Sequence, residues 1–177
     1  GSEMCIRDSA GIVCTTSKID KNNVIDYLNF PERIYPVGRL DKESTGLLLL
    51  TNNGQLMDDI LRGSNYHEKE YIVHVNKPIT DSVLQAMAQG VPILDTITRP
   101  CKIRRMGKDC FYITLTQGLN RQIRRMCEYF DYRVTSLKRI RIMNIELGSL
   151  PVGKWRELTP SEIKTLKNLA QNKGEAE

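Results

Sequence analysis

No apolar run in this 177-residue chain exceeds four residues, and the most uniform one is the set of four leucines at 47–50. A membrane-spanning helix needs about 20 such residues in a row, so none can be written from this sequence. The core must instead be assembled from many short elements. Gly46 opens the leucine run and Asn52-Asn53-Gly54 closes it, so 46–51 is expected to be a buried strand ending in a turn. Hydrophobic residues make up 40% of the chain and charged residues 27%, a globular balance. The length suits one domain or two closely packed subdomains.

Other elements follow from period and punctuation. Asp20 can cap a helix over 21–28, with Val24, Ile25 and Leu28 on one face. Residues 55–61 carry Leu56, Met57, Ile60 and Leu61 at helical spacing, with Gly63 as the stop. Residues 70–75 are β-rich. Thr80 or Asp81 caps a helix carrying Val83, Leu84 and Met87 and ending at Gly90. Strands are expected around 96–105, at 111–116 and at 133–137. In 138–147, Arg139 and Arg141 alternate with Ile140 and Ile142, which predicts a strand with one wet, basic face. Thr159-Pro160-Ser161-Glu162 reads as a capping box with Pro at the first helical position. Ile163, Leu166 and Leu169 would be the buried stripe of the helix it opens, and 171–177 a frayed tail. Helices mixed with hairpin-like strand clusters indicate an α+β fold.

Cys5, Cys14, Cys101, Cys110 and Cys127 form no CxxC pair, and the only histidines are His67 and His74. An odd set without pairing argues against a disulfide framework and a zinc site, so free thiols and no metal are expected. The first nine residues contain no signal-peptide core, which makes the cytoplasm the expected location.

Charge is unevenly distributed. Twelve Lys and Arg lie between Arg99 and Arg141, against Asp109, Glu128 and Asp131. That stretch carries +9, which leaves −4 for the rest of a chain whose net charge is +5. Such asymmetry suits a polyanionic partner, although a solvated basic face would look the same. Within it, 121–130 has helical period. Ile123, Met126, Cys127 and Phe130 share one face, and Arg121, Arg124 and Arg125 share the other with Glu128. Asn120 is the expected N-cap. Guanidiniums at a helix start make a phosphate site.

Two stretches carry a family resemblance. One runs from Tyr35 to Gly54 and contains Gly38-Arg39-Leu40-Asp41 followed by Gly46-Leu47-Leu48-Leu49-Leu50-Thr51. The other is Gly118-Leu119-Asn120-Arg121-Gln122-Ile123-Arg124-Arg125-Met126. Together they resemble the paired signature of the bacterial ribosomal RNA pseudouridine synthases of the RsuA type, and their wording is nearest to that of a large-subunit member. His67-Glu68-Lys69-Glu70-Tyr71 matches the family's tyrosine motif, and Gly153-Lys154-Trp155-Arg156-Glu157-Leu158-Thr159 its closing motif. The resemblance runs from about Gly11 to about Leu169.

It implies the pseudouridine synthase catalytic fold, a mostly antiparallel mixed sheet flanked by helices, with the active-site cleft between two subdomains over 10–170. The S4-type RNA-binding domain that usually comes first has no counterpart in these residues. The opening strand with its Lys-Pro turn is also unmatched, so 1–9 reads as an appended, non-native segment.

The implied reaction breaks the C1′–N1 bond of a uridine in ribosomal RNA, 23S being the expected one, and rejoins the uracil through C5. Nothing is consumed, so no cofactor is expected. One ionised carboxylate at the sugar is needed, either to attack C1′ or to take a proton from C2′, a logic shared with glycosidases. By resemblance Asp41 is that carboxylate and Arg124 its partner. Ile123 would pack beneath the base and Tyr71 would stack on it. Arg39 would fill the gap left by the flipped nucleotide. Lys42 and Arg121 would hold phosphates, with Leu40 and Gln122 also in the RNA-contacting set. The basic strand at Lys138, Arg139 and Arg141 would extend the track. The expected partner is ribosomal RNA, with transfer RNA left open as a second substrate, no membrane and a monomeric chain.

Two other readings compete. A non-catalytic RNA-binding or ribosome-assembly module explains the basic stretch equally well, but not a carboxylate set in a phosphate-binding loop. A hydrolase of free nucleosides explains the carboxylate but not so wide a basic surface.

Overall fold

The computed structural model describes residues 3–8, 34–62 and 66–171. The helix expected at 21–28, its cap Asp20, Cys14, the expected stop at Gly63 and the tail from 172 lie outside these residues.

A nine-stranded sheet forms the frame. Its path is β11 (Trp155–Glu157), β1 (Glu3–Asp8), β3 (Thr45–Thr51), β9 (Val134–Ile142), β4 (Lys69–Val75), β8 (Cys110–Leu115) and β7 (Lys102–Gly107). β2 (Tyr35–Val37) pairs with β3, and β10 (Ile145–Glu146) with β9; β5 (Pro92–Ile93) and β6 (Thr96–Ile97) form a separate hairpin. Every pairing is antiparallel except β3 with β9, whose register runs Thr45 to Lys138 and Gly46 to Arg139. This is the mixed, mostly antiparallel sheet that the sequence predicts. The segment read as appended has a place in it, since Glu3–Asp8 lies antiparallel to β3 over six paired residues.

Four described helices cover the sheet: α1 (Gly54–Leu61), α2 (Asp81–Gln89), α3 (Gln122–Tyr129) and α4 (Pro160–Gln171). Side chains cap the starts of α1, α2 and α4, one of them, Asn53, read in the sequence only as part of a turn. Asn53 accepts from the Leu56 N–H and caps α1, and Thr80 accepts from the Val83 N–H and caps α2. At α4, Glu162 accepts from the Thr159 N–H at 2.9 Å while its own N–H donates to Thr159 Oγ1 at 3.2 Å. These satisfy donors that a helix start leaves open.

Two cores lie on either side of the parallel pair. One gathers Val73, Phe111, Ile113, Met87, Met126 and Cys127 between β4, β8, α2 and α3. The other gathers Leu47, Leu49, Leu56, Ile60, Ile145 and Leu166 between β3, α1, β10 and α4. The β3/β9 contact is thus the seam of the molecule. At that seam Gly46 has φ 110°, and a Cβ there would collide with the carbonyl oxygen of Arg139.

Several expectations are corrected. The strand expected around 96–105 splits into β6 and β7 at Pro100, which has no N–H to give a ladder. The stretches 133–137 and 138–142 are one continuous strand, β9. The buried stripe of α4 ends at Ala170, while Leu169 is 40% exposed. The wet basic face of β9 does not exist either. Arg139 is 1% exposed, and its Nε and Nη2 donate to the carbonyls of Leu47 at 2.9 Å and Gly38 at 2.7 Å. Arg141 is engaged by Glu68 at 3.1 Å and by Glu70 at 3.8 Å. The register with β4 shifts here, pairing Glu70 with Arg141 and Tyr71 with Arg139 and leaving Ile140 as an extra residue, so the bulge breaks the alternation and turns the two arginines to opposite faces.

Candidate active site

A tight turn between β2 and β3 carries Asp41. Gly38 leaves β2 with φ 77°, a left-handed conformation that glycine adopts without a Cβ penalty. The Ser44 N–H donates to the Asp41 carbonyl at 2.9 Å and closes the turn. Leu40 and Ser44 are buried and anchor it, while Arg39, Lys42 and Glu43 face water.

Two arginines from the start of α3 meet the carboxylate. Arg124 Nε lies 3.6 Å from Asp41 Oδ2, and its Nη2 donates to Ser44 Oγ at 3.2 Å. Arg121 Nη1 lies 3.8 Å from the same Asp41 oxygen and donates to Glu43 Oε2 at 3.2 Å. The Glu43 carboxyl is held below the usual range by its own backbone N–H and by Arg121. The Arg124 side chain is 12% exposed and that of Asp41 32%. Arg124 Nε is buried without a hydrogen-bond partner. So its link to Asp41 is an ion pair at a distance too long for a hydrogen bond.

The backbone that presents these arginines differs from expectation. The N-cap of α3 is Arg121, in the left-handed region at φ 49° and ψ 39°, with no side-chain cap. Asn120, the expected cap, accepts from Arg125 instead, through Oδ1 at 3.0 Å and its carbonyl at 2.9 Å. Arg125 is therefore folded back, and only two of the three guanidiniums reach the carboxylate. Gln122 is 5% exposed. It accepts from the Leu119 N–H at 3.2 Å and donates to Gln117 Oε1 at 3.4 Å, which braces the loop before the helix.

Between the Asp41 turn, β4 and the 116–123 segment lies an open cavity of about 750 Å³. Of the residues singled out in the sequence, Arg39, Leu40, Asp41, Lys42, Tyr71, Arg121, Gln122 and Ile123 all line it. Arg124 does not, and reaches Asp41 from behind. Residues that sequence reasoning missed also line it, Ser44 and Lys69, and so does Arg139, which was expected on an exposed track and is buried instead. Lys69 had a readable signal, since it stands two residues before Tyr71 and shares its strand face. Burial and the Arg139 guanidinium lower Lys69 to about 8.

Elsewhere, His74, Asp109 and Cys110 bring ligand atoms within 4.8 Å of one another. They sit at the far end of β4 from the residues that line the cavity. No described helix is long and apolar enough to cross a membrane.

Known proteins resemble this arrangement. Residues 9–129 match the family model described as RNA pseudouridylate synthase. A dual-specificity RNA pseudouridine synthase RluF from Salmonella typhi is 52% identical over 168 residues, 95% of this chain and 58% of that protein. The chain therefore spans little more than half the length of that relative. A ribosomal large subunit pseudouridine synthase B from Bacillus subtilis is 34% identical, covering 90% of this chain and 69% of its own length. A crystal structure of a pseudouridylate synthase superposes with a TM-score of 0.86 at 30% identity, covering 93% of this chain and 73% of that one.

Proposed function

Since the chain belongs to the RNA pseudouridylate synthase family, we propose that its cavity isomerises a uridine of ribosomal RNA to pseudouridine, with Asp41 as the catalytic carboxylate. The relatives' names support the substrate class, and the second points to the large subunit. One observation carries the assignment. Among the described residues Asp41 is the only carboxylate lining the cavity, and two guanidiniums stand within 3.8 Å of its Oδ2.

Those cations hold the carboxylate in position and supply its countercharge when RNA shuts out water. Asp41 then either bonds to C1′ or removes the C2′ proton. In both routes the C1′–N1 electron pair leaves with the uracil, which becomes an anion. The uracil turns and C5 bonds to C1′, as the Asp41–C1′ bond breaks in the first route or as the proton returns to C2′ in the second; the C5 hydrogen is then lost and N1 gains one. Tyr71 stacks on the detached ring and Ile123 supports it from below. Leu40 and Gln122 fix the two loops. Arg39, exposed beside Asp41, fills the space that the flipped nucleotide vacates. Lys42 is an open phosphate contact, whereas a phosphate would have to compete with Glu43 for Arg121.

The test is tritium release from RNA containing 5-tritiated uridine. Wild type should release tritium stoichiometrically at the modified site. Asp41→Asn should release none, with RNA affinity changed less than about tenfold, because the amide keeps the shape but not the charge. RNA binding by wild type without release would favour the assembly-module reading. Release by Asp41→Asn would remove Asp41 from its role.

A further inference from the structure

We propose that Lys69 is a catalytic residue that holds the negative charge of the uracil ring once its bond to the ribose is broken. The proposal rests on the isomerase reading above and adds to it a group for the leaving base.

Position is the first argument. Lys69 lies at the start of β4 and lines the cavity. Its Cε is 4.0 Å from where a side chain would begin at Gly38, and its Nζ is 3.7 Å from the same point at Gly118. The ammonium is thus set between the loop that carries Asp41 and the loop that leads to Arg121. Side chains alternate along a strand, so Lys69 and Tyr71 face the same way. A group beside the ring that stacks on the base addresses the base, while Lys42 at the exposed rim addresses the backbone.

Charge is the second. Among the described residues, Arg39, Lys42, Arg62, Lys69, Arg121 and Arg139 line the cavity against the single carboxylate of Asp41, with His67 and Tyr71 as its other titratable groups. Arg121 and Arg124 already face that carboxylate, and the guanidinium of Arg139 is bound to two carbonyls. The Lys69 ammonium makes no hydrogen bond or ion pair among the described residues. A half-buried ammonium beside a guanidinium, with no counter-ion, is unfavourable on its own. Such an arrangement is complementary to an anion that forms in the cavity.

Chemistry supplies that anion. Whether Asp41 attacks C1′ or takes the C2′ proton, the C1′–N1 electrons depart with the uracil. The charge spreads over N1, O2 and O4 until C5 bonds to C1′. A fixed cation that meets this charge only after bond breaking stabilises the transition state more than the ground state. Lys69 acts in its protonated form, and burial beside Arg139 places its loss of a proton near pH 8.

The experiment compares wild type with Lys69→Met and Lys69→Arg in single-turnover tritium release, RNA binding and thermal unfolding. Lys69→Met should lose about 100-fold or more in rate, the loss typical of deleting one donor to a developing anion. RNA affinity should change less than about threefold, and the melting temperature should not fall, because an unpartnered cation has been removed. Wild-type kcat/KM should decline as pH rises through about 8, since kcat/KM reports the free enzyme. That limb should vanish in Lys69→Met and move up in Lys69→Arg. Unimpaired release by Lys69→Met, or a loss confined to affinity and salt dependence, overturns the assignment. If Lys69→Met does not fold, a wild-type profile that stays flat to pH 9 overturns it instead. Wild type without any release defeats the underlying isomerase reading; wild-type release with intact Lys69→Met defeats only this one.

Discussion

The pair of Asp41 and Arg124 can be weighed before it is measured. At 3.6 Å the gross attraction is about 4–5 kcal/mol for an effective dielectric near 20. Three features reduce what reaches stability. The carboxylate is 32% exposed, the Nε makes no hydrogen bond, and Arg121 stands 3.8 Å away, ready to supply part of the lost countercharge. Breaking a dry buried pair costs about 3–5 kcal/mol, whereas exposed pairs contribute under about 1. The expected coupling lies between them, at about 1–2 kcal/mol.

The perturbation is a cycle of Arg124→Met, Asp41→Leu and the double variant, unfolded in urea at neutral pH. Arg124→Met also loses the donation to Ser44 Oγ at 3.2 Å, so it should be the less stable single variant. The double variant should recover part of that loss, while all three variants release little or no tritium. Coupling should fall as salt is raised, because the pair is partly open to water. Simple additivity, within about 0.3–0.5 kcal/mol, would mean that the two groups do not interact and that Arg124 serves the RNA surface. Coupling above about 3 kcal/mol would refute the exposure argument and make the pair a dry one.

Three further outcomes are expected. Glu162 takes two bonds from Arg156, at 2.8 and 3.0 Å, and one from the Thr159 N–H at 2.9 Å, which together hold its carboxyl near 2. Its folded pKa lies below the unfolded value, so its stabilisation is complete above pH 4.5 and lost as pH falls towards 2; after discounting for exposure, Glu162→Gln should remove about 1–2 kcal/mol from urea stability at pH 7 and nearly nothing at pH 2. Gly46→Ala should destabilise by more than about 3 kcal/mol, since it adds left-handed strain to a collision with the Arg139 backbone; an unshifted urea midpoint would contradict the seam geometry. Lys42→Ala and Arg39→Ala should each reduce the slope of log RNA affinity against log salt by about 0.7–0.9, while Arg141→Ala, already engaged by Glu68 and Glu70, should leave it unchanged; equal effects in all three would mean that Arg141 is released to the RNA.

What could be read from the residues was the information that is local. The cap at Thr80 and the reciprocal bonds of Thr159 and Glu162 each depend on four consecutive residues. The buried face of α3 was likewise fixed by period, and Ile123, Met126 and Cys127 are buried on it. What could not be read depends on strands that meet from distant parts of the chain. Arg139 looked like one member of an alternating wet set, but the bulge at Ile140 interrupts the alternation and separates it from Arg141. Only the arrival of β3 beside β9 covers it. Asn120 is a good capping residue by type, yet the chain turns one residue later, with Arg121 left-handed. Residues 3–8 matched no motif, and still they complete a strand, since main-chain pairing is indifferent to most side chains. Lys69 was overlooked because Glu68 and Glu70 flank it and make the stretch look solvated, although strand geometry sends those two to the opposite face.

The seam then explains why a carboxylate on one half can work with groups on the other. Asp41 is carried by β2 and β3, while Tyr71 and Lys69 are on β4 and Ile123 and Arg124 on α3. The two halves have separate cores, and β3 and β9 are in register over only two residue pairs. So short a ladder would leave the halves loosely aligned. Arg139 compensates from β9, because one guanidinium grips the Leu47 carbonyl on β3 and the Gly38 carbonyl at the base of the Asp41 turn. A buried charge is unfavourable without partners, and here its partners are main-chain carbonyls on the opposite half. The same donors that satisfy Arg139 therefore fix how far the Asp41 turn stands from β4. Gly46 lets the backbones approach closely enough for that grip. Residues that contribute nothing to the chemistry thus set the distance across which it must occur.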